Sequence, residues 1–114
     1  MNLDEISKSI HNTAKDKGFW DPMKKLPKKD HFVFYSKQLA MVHSEVTEVL
    51  EALRKDKGED QVVEEMADII IRVLDLYAGM IEHKAISGSK SLNESLAKKV
   101  AHNITRPKMH GVAG

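Results

Sequence analysis

Glu45-Val-Thr-Glu48, answered downstream by Glu65-Met-Ala-Asp68, is the pair of stretches whose reading decides the fold. Each pairs two carboxylates at i, i+3, which on an α-helix places them on one face about a turn apart. Each also lies beside an apolar stripe. Leu39, Val42, Val46, Val49, Leu50 and Leu53 surround the first pair, and Val62, Met66, Ile69, Ile70 and Val73 surround the second. Carboxylates at the edge of a core lose hydration, and four of them converging repel one another. A positive group has to offset that, and a hard divalent cation, which takes oxygen ligands, is the simplest candidate.

Outward from these stretches the helical period continues. Phe32, Tyr35 and Leu39 extend the first helix over His31 to about Arg54, and the second is expected from Gln61 to about His83, with Asp60 as N-cap and Gly79 as a kink near its end. Lys55–Asp60 forms a short charged turn broken at Gly58, so the two helices should pack as an antiparallel hairpin that brings the acidic pairs face to face. Before them, Leu3, Ile6, Ile10 and Ala14 predict a helix over 3–16 with Asn2 as its cap, and Gly18 to Asp30 reads as a loop. After them, Ser91-Leu-Asn-Glu94 matches a capping box. Leu92, Leu96, Val100 and Ile104 carry a last helix that Pro107 stops, followed by a mobile tail from Gly111. The expected fold is all-α, a single-domain bundle of four helical segments over residues 1–114.

Composition narrows the function. The 114 residues carry a formal net charge of +1, which gives no strong attraction to nucleic acid polymers or anionic membranes. There is no cysteine, so disulfides, thiolate metal sites and cysteine nucleophiles are excluded. No apolar run reaches membrane-spanning length and the N-terminus is polar, so a cytoplasmic protein is expected. A core this small also makes association between copies a natural way to cover apolar surface.

The residue types around the acidic pairs indicate the chemistry. None of the six histidines follows a glutamate by three positions, unlike the Glu-x-x-His pairs of redox di-iron bundles. An all-carboxylate site suits magnesium or manganese, ions that usually work on phosphates. Cations for a phosphate are offered by Lys98, Lys99, His102, Arg106, Lys108 and His110, with Asn103 among them; Lys98 and Lys99 equally fit the basic end of a helix dipole. Asp68 with Arg72, Arg72 with Asp75 and Glu51 with Lys55 have the spacing of ordinary intrahelical ion pairs. Trp20, the single tryptophan, either lids the core or walls a pocket and stacks on a base.

The chain resembles the MazG-like nucleoside triphosphate pyrophosphohydrolases of the all-α NTP pyrophosphatase superfamily. The likeness runs from about Gly18 to Gly111. It is carried by Gly18-Phe-Trp-Asp21, His43-Ser-Glu-Val-Thr-Glu-Val-Leu-Glu-Ala52, Glu64-Glu-Met-Ala-Asp-Ile-Ile-Ile-Arg-Val-Leu-Asp-Leu76 and Lys99-Val-Ala-His-Asn-Ile-Thr-Arg-Pro-Lys-Met-His-Gly111. The resemblance implies that Glu45, Glu48, Glu65 and Asp68 hold Mg2+ and that Lys99, Asn103 and Arg106 grip a nucleotide. It implies cleavage of a (d)NTP between the α- and β-phosphates to (d)NMP and pyrophosphate, in a house-cleaning role toward noncanonical or surplus nucleotides. It also implies a homodimer or homotetramer with sites completed between subunits. The family often has a glutamate immediately before the first motif pair, where this chain has Ser44, so the number of metal ions and the general base stay open. The base recognised is equally open, and a non-catalytic helical oligomer with solvated acidic faces is the alternative from a different class.

Overall fold

The computed structural model describes residues 2–108; the tail from Gly111 and the candidate cation His110 lie outside them. Four α-helices follow one another: α1 (Leu3–Asp16), α2 (His31–Arg54), α3 (Glu59–Glu82) and α4 (Leu92–Thr105), with two 3-10 turns, Asp21–Lys25 and Lys28–Asp30, between α1 and α2. No strand occurs among the described residues, and the fold is the all-α bundle expected from the periodicity.

Local chemistry sets the helix ends. Asn2 caps α1 by accepting from the backbone N–H of Asp4 and Glu5, and Asp4 and Glu5 themselves sit at the positive end of the helix dipole. Ser91 caps α4 by accepting from Glu94 N–H at 3.1 Å. The start of α3 departs from expectation: the helix begins at Glu59, not Gln61, and Gly58, not Asp60, occupies the cap position without a side-chain bond. At φ 99° and ψ 158°, Gly58 holds a backbone conformation that essentially only glycine adopts, so the chain reverses in four residues and α3 starts earlier.

Helices α2 and α3 pack as the expected antiparallel hairpin, and α1 lies against α3. The main core cluster lies at one end of that hairpin, where Ala14, Trp20, Met23, Phe34, Tyr35 and Leu76 gather with Leu26 and Met80 at the margin. Towards the α2–α3 turn the apolar stripes are uncovered in the single chain: Val46, Leu50, Leu53, Val63, Met66 and Ile70 are all at least half exposed. Helix α4 buries no residue. Its first turn is tied down by Asp4, which accepts from Ser91 Oγ at 2.6 Å and Leu92 N–H at 3.0 Å, and Leu96, Val100 and Ile104 beyond it stay exposed.

Trp20 belongs to the core, and this corrects the base-stacking role considered for it. Its ring is 3% exposed, stacked on His83 at 5.7 Å, tilted against Phe34 at 4.9 Å and met edge-on by His11 at 4.7 Å, so no face is open to a nucleotide base. Gly79 explains how α3 admits it. The helix runs through this position to Glu82, and the missing side chain makes room for the six-membered ring of Trp20, which a Cβ there would overlap.

Gly79→Ala therefore sets a helix-propensity gain of about 1 kcal/mol against overpacking of a buried indole, which costs about 1–3 kcal/mol and leaves little room for relaxation. A net loss of stability is expected in urea unfolding followed by the fluorescence of Trp20. Unchanged or increased stability would contradict the packing described.

Candidate active site

A single polar stripe organises α3. Glu65, Asp68, Arg72, Asp75, Gly79 and Glu82 succeed one another at spacings of three and four, so they share one face over nearly the whole helix. The N-terminal half of the stripe meets the acidic pair of α2. The C-terminal half meets α1 and Trp20.

At the C-terminal half, Asp75 accepts from Trp20 Nε1 at 3.0 and 3.1 Å and bonds His11 Nδ1 at 2.7 Å. His11 Nε2 lies 3.1 Å from Glu82, which also takes Lys15. Partial burial works against the ionised form of Glu82, but hydrogen bonds from Lys15 and His11 prevail and hold its carboxyl below the usual range. Burial pushes the neighbouring His83 imidazole down. This network locks α1 across α3 and orients the residues that follow.

At the N-terminal half, Glu45, Glu65 and Asp68 each present a carboxylate oxygen, and the three oxygens lie within 4.8 Å of one another. Three of the four expected ligands are therefore brought together. Glu48 falls outside that trio but stays against Glu65. The Glu65 carboxyl is held above its ordinary value by desolvation first, then by the charges of Glu48, Asp68 and Glu45, and by a hydrogen bond with Glu48. The donors, all carboxylates, fit a hard divalent ion. Glu45, Glu65 and Asp68 would hold such an ion, their oxygens drawing closer together than the present 4.8 Å span.

The pairing of Arg72 also departs from the expected intrahelical contacts. It pairs with neither Asp68 nor Asp75, but donates from Nε to Glu45 Oε1 across the helix interface at 3.0 Å. Glu51 with Lys55 does form the expected i, i+4 pair, at 3.5 Å.

A cavity of about 460 Å³ opens beside the trio, within the usual range for small-molecule sites. Glu45, Asp68, Arg72 and Asp75 line one part of it; Ile10, Ala14, Phe19 and Ile71 supply an apolar part, with Ser9 and Thr13 of α1. Phe19, 66% exposed, is the aromatic that this cavity offers, next in sequence to the tryptophan. No residue of α4 lines the cavity among the described residues. Lys99 and Asn103 are exposed on α4, and Arg106 caps its end with Nη1 donating to Asn103 Oδ1 at 3.4 Å.

An all-α hairpin thus carries a carboxylate trio at the edge of a part-apolar cavity, and such donors suit a hard divalent cation. The MazG nucleotide pyrophosphohydrolase domain matches residues 35–107, nearly two thirds of the chain, and the protein belongs to that family. No curated protein and no solved structure matches the chain.

Because folding raises the pKa of Glu65, the metal-free protein should gain stability as pH falls below the raised folded value and lose that increment as pH rises through it. Glu65→Gln should abolish this component and raise the melting temperature in EDTA at neutral pH. A fall in melting temperature would instead make Glu65 a structural partner.

Proposed function

We propose that this chain is a divalent-metal-dependent nucleotide pyrophosphohydrolase that converts a (d)NTP to (d)NMP and pyrophosphate, acting on noncanonical or surplus nucleotides in the cytoplasm. The observation that carries the reading is the convergence of Glu45, Glu65 and Asp68 at the edge of a cavity whose other part is apolar and aromatic. The family membership supports the same reaction class. Among the described residues no helix is long and apolar enough to cross a membrane.

Glu45, Glu65 and Asp68, with Glu48 beside them, would hold Mg2+, or Mn2+ in its place. Such an ion neutralises phosphate charge and lowers the pKa of water bound to it. The chain's own residues supply the rest. Ile10, Ala14, Phe19 and Ile71 exclude water from the nucleoside side, and Phe19 offers a flat face to a base. Asp75, held by His11 and Trp20, fixes the stretch of α3 that presents Asp68 and Arg72.

Lys99, Asn103 and Arg106 are assigned to the phosphates, reached from α4 of a second copy. Two features support that assembly. Helix α4 leaves Leu96, Val100 and Ile104 exposed, and the α2–α3 hairpin leaves Val46, Leu50, Met66 and Ile70 exposed. Contiguous apolar surface of this kind marks an interface. A homodimer, or a homotetramer built from it, would cover the one with the other.

The reading is tested by pyrophosphate release from a panel of NTPs and dNTPs with and without Mg2+. Magnesium-dependent release is expected, lowered at least about 100-fold in Asp68→Asn with the fold retained. Absence of release from every nucleotide would favour a non-catalytic helical oligomer. Mixing Asp68→Asn with Arg106→Ala subunits should restore activity that neither variant has alone. Failure to restore it would place Arg106 in the site of its own subunit.

A further inference from the structure

We propose that Arg72 is a phosphate-binding residue of the substrate site, and that its bond to Glu45 is the resting arrangement of the metal-free protein. The inference rests on the pyrophosphohydrolase reading and extends it to a residue whose spacing suggests only a surface ion pair.

Three observations carry it. First, Arg72 is not engaged along its own helix. Asp75, three residues on, is taken by Trp20 and His11, and no ion pair joins Arg72 to Asp68. Second, its one bond, at 3.0 Å, uses Nε and leaves the terminal amino groups without a protein partner among the described residues. A guanidinium carries five N–H donors in a planar fork, and four of them remain for a ligand. Third, the side chain is part-exposed and lines the cavity that holds Phe19 and Asp68, where a phosphorylated ligand would lie.

The energetics give the bond its meaning. Glu45 is the more enclosed of the two partners, its side chain 13% exposed, and an unpaired carboxylate there would carry a desolvation cost. Arg72 supplies the positive charge that the acidic pairs require while no metal is present. A divalent ion taking Glu45 removes the need for that bond and repels the guanidinium. The fork then suits phosphate oxygens, which it matches in a bidentate geometry that lysine cannot reproduce.

Arg72→Gln and Arg72→Lys test this with two readouts. Mn2+ binding to the nucleotide-free protein, followed by the electron paramagnetic resonance of free Mn2+, should be several-fold tighter in Arg72→Gln because the competing cation is gone. It should stay near wild type in Arg72→Lys. Affinity for inorganic tripolyphosphate with the metal site saturated, and KM for a nucleoside triphosphate, should worsen about 10- to 100-fold in Arg72→Gln and by less in Arg72→Lys. Unchanged or weaker Mn2+ binding in Arg72→Gln, or wild-type tripolyphosphate affinity in both variants, would overturn the proposal. If Arg72→Gln fails to fold, Arg72→Lys decides alone: wild-type Mn2+ binding with weakened tripolyphosphate supports the assignment, and wild-type behaviour in both overturns it. A wild-type protein that releases no pyrophosphate removes the enzymatic reading. The Mn2+ and tripolyphosphate measurements still decide the role of Arg72.

Discussion

Mutual repulsion among carboxylates across the α2–α3 interface is the constraint on which the rest of the structure depends. Glu45, Glu65 and Asp68 are held at close range, Glu48 crowds Glu65, and the Glu65 carboxyl is shifted upward by desolvation and those charges. A domain selected for stability alone would place apolar residues here, since like charges in a part-dehydrated interface oppose folding. Among the described residues, the cation bonded to this cluster across the helices is Arg72, on Glu45. One positive group does not neutralise four negative ones, and an all-carboxylate set of this kind suits a hard divalent cation.

The positioning of this imbalance traces to the other end of α3. Asp75 ties Trp20 and His11 to the helix, Gly79 makes room for the indole, and Glu82 holds His11 and Lys15. The result is a small core at one end of the hairpin and an exposed apolar surface at the other. The buried network and the carboxylate cluster thus occupy different halves of one helix face, joined by the two turns between Asp68 and Asp75.

Much of the fold was legible in the sequence because it depends on local signals. Asn2 and Ser91 cap as their types suggest, the 3.6-residue period marks all four helices, and the acidic pairs reveal their registry by spacing. What was not legible depends on which partner wins. Asp68 and Asp75 stand at ideal spacing for Arg72, yet Glu45 takes it; Asp75 is already satisfied by His11 of α1 and by Trp20, contacts more than fifty residues away in sequence. Trp20 and Phe19 are neighbours of similar chemistry, and only the gap at Gly79 settles that the tryptophan turns inward. The signal that could have found this is the spacing Glu65, Asp68, Arg72, Asp75, Gly79, Glu82, a continuous polar stripe closed by a glycine. The placement of Lys99, Asn103 and Arg106 outside the cavity was not legible either, because it depends on how α4 sits, with Leu96, Val100 and Ile104 exposed.

The central claim is that the acidic cluster is a destabilising arrangement maintained for a divalent cation. It is tested most directly by the melting temperature of the metal-free protein as Mg2+ or Mn2+ is titrated in, since a ligand that binds only the folded state stabilises it by RT ln(1 + [L]/Kd). A concentration-dependent rise, lost when Glu45, Glu65 and Asp68 are all replaced by their amides, is the result expected. A melting temperature indifferent to either ion, in a protein whose triple-amide variant is no more stable than wild type, would contradict it.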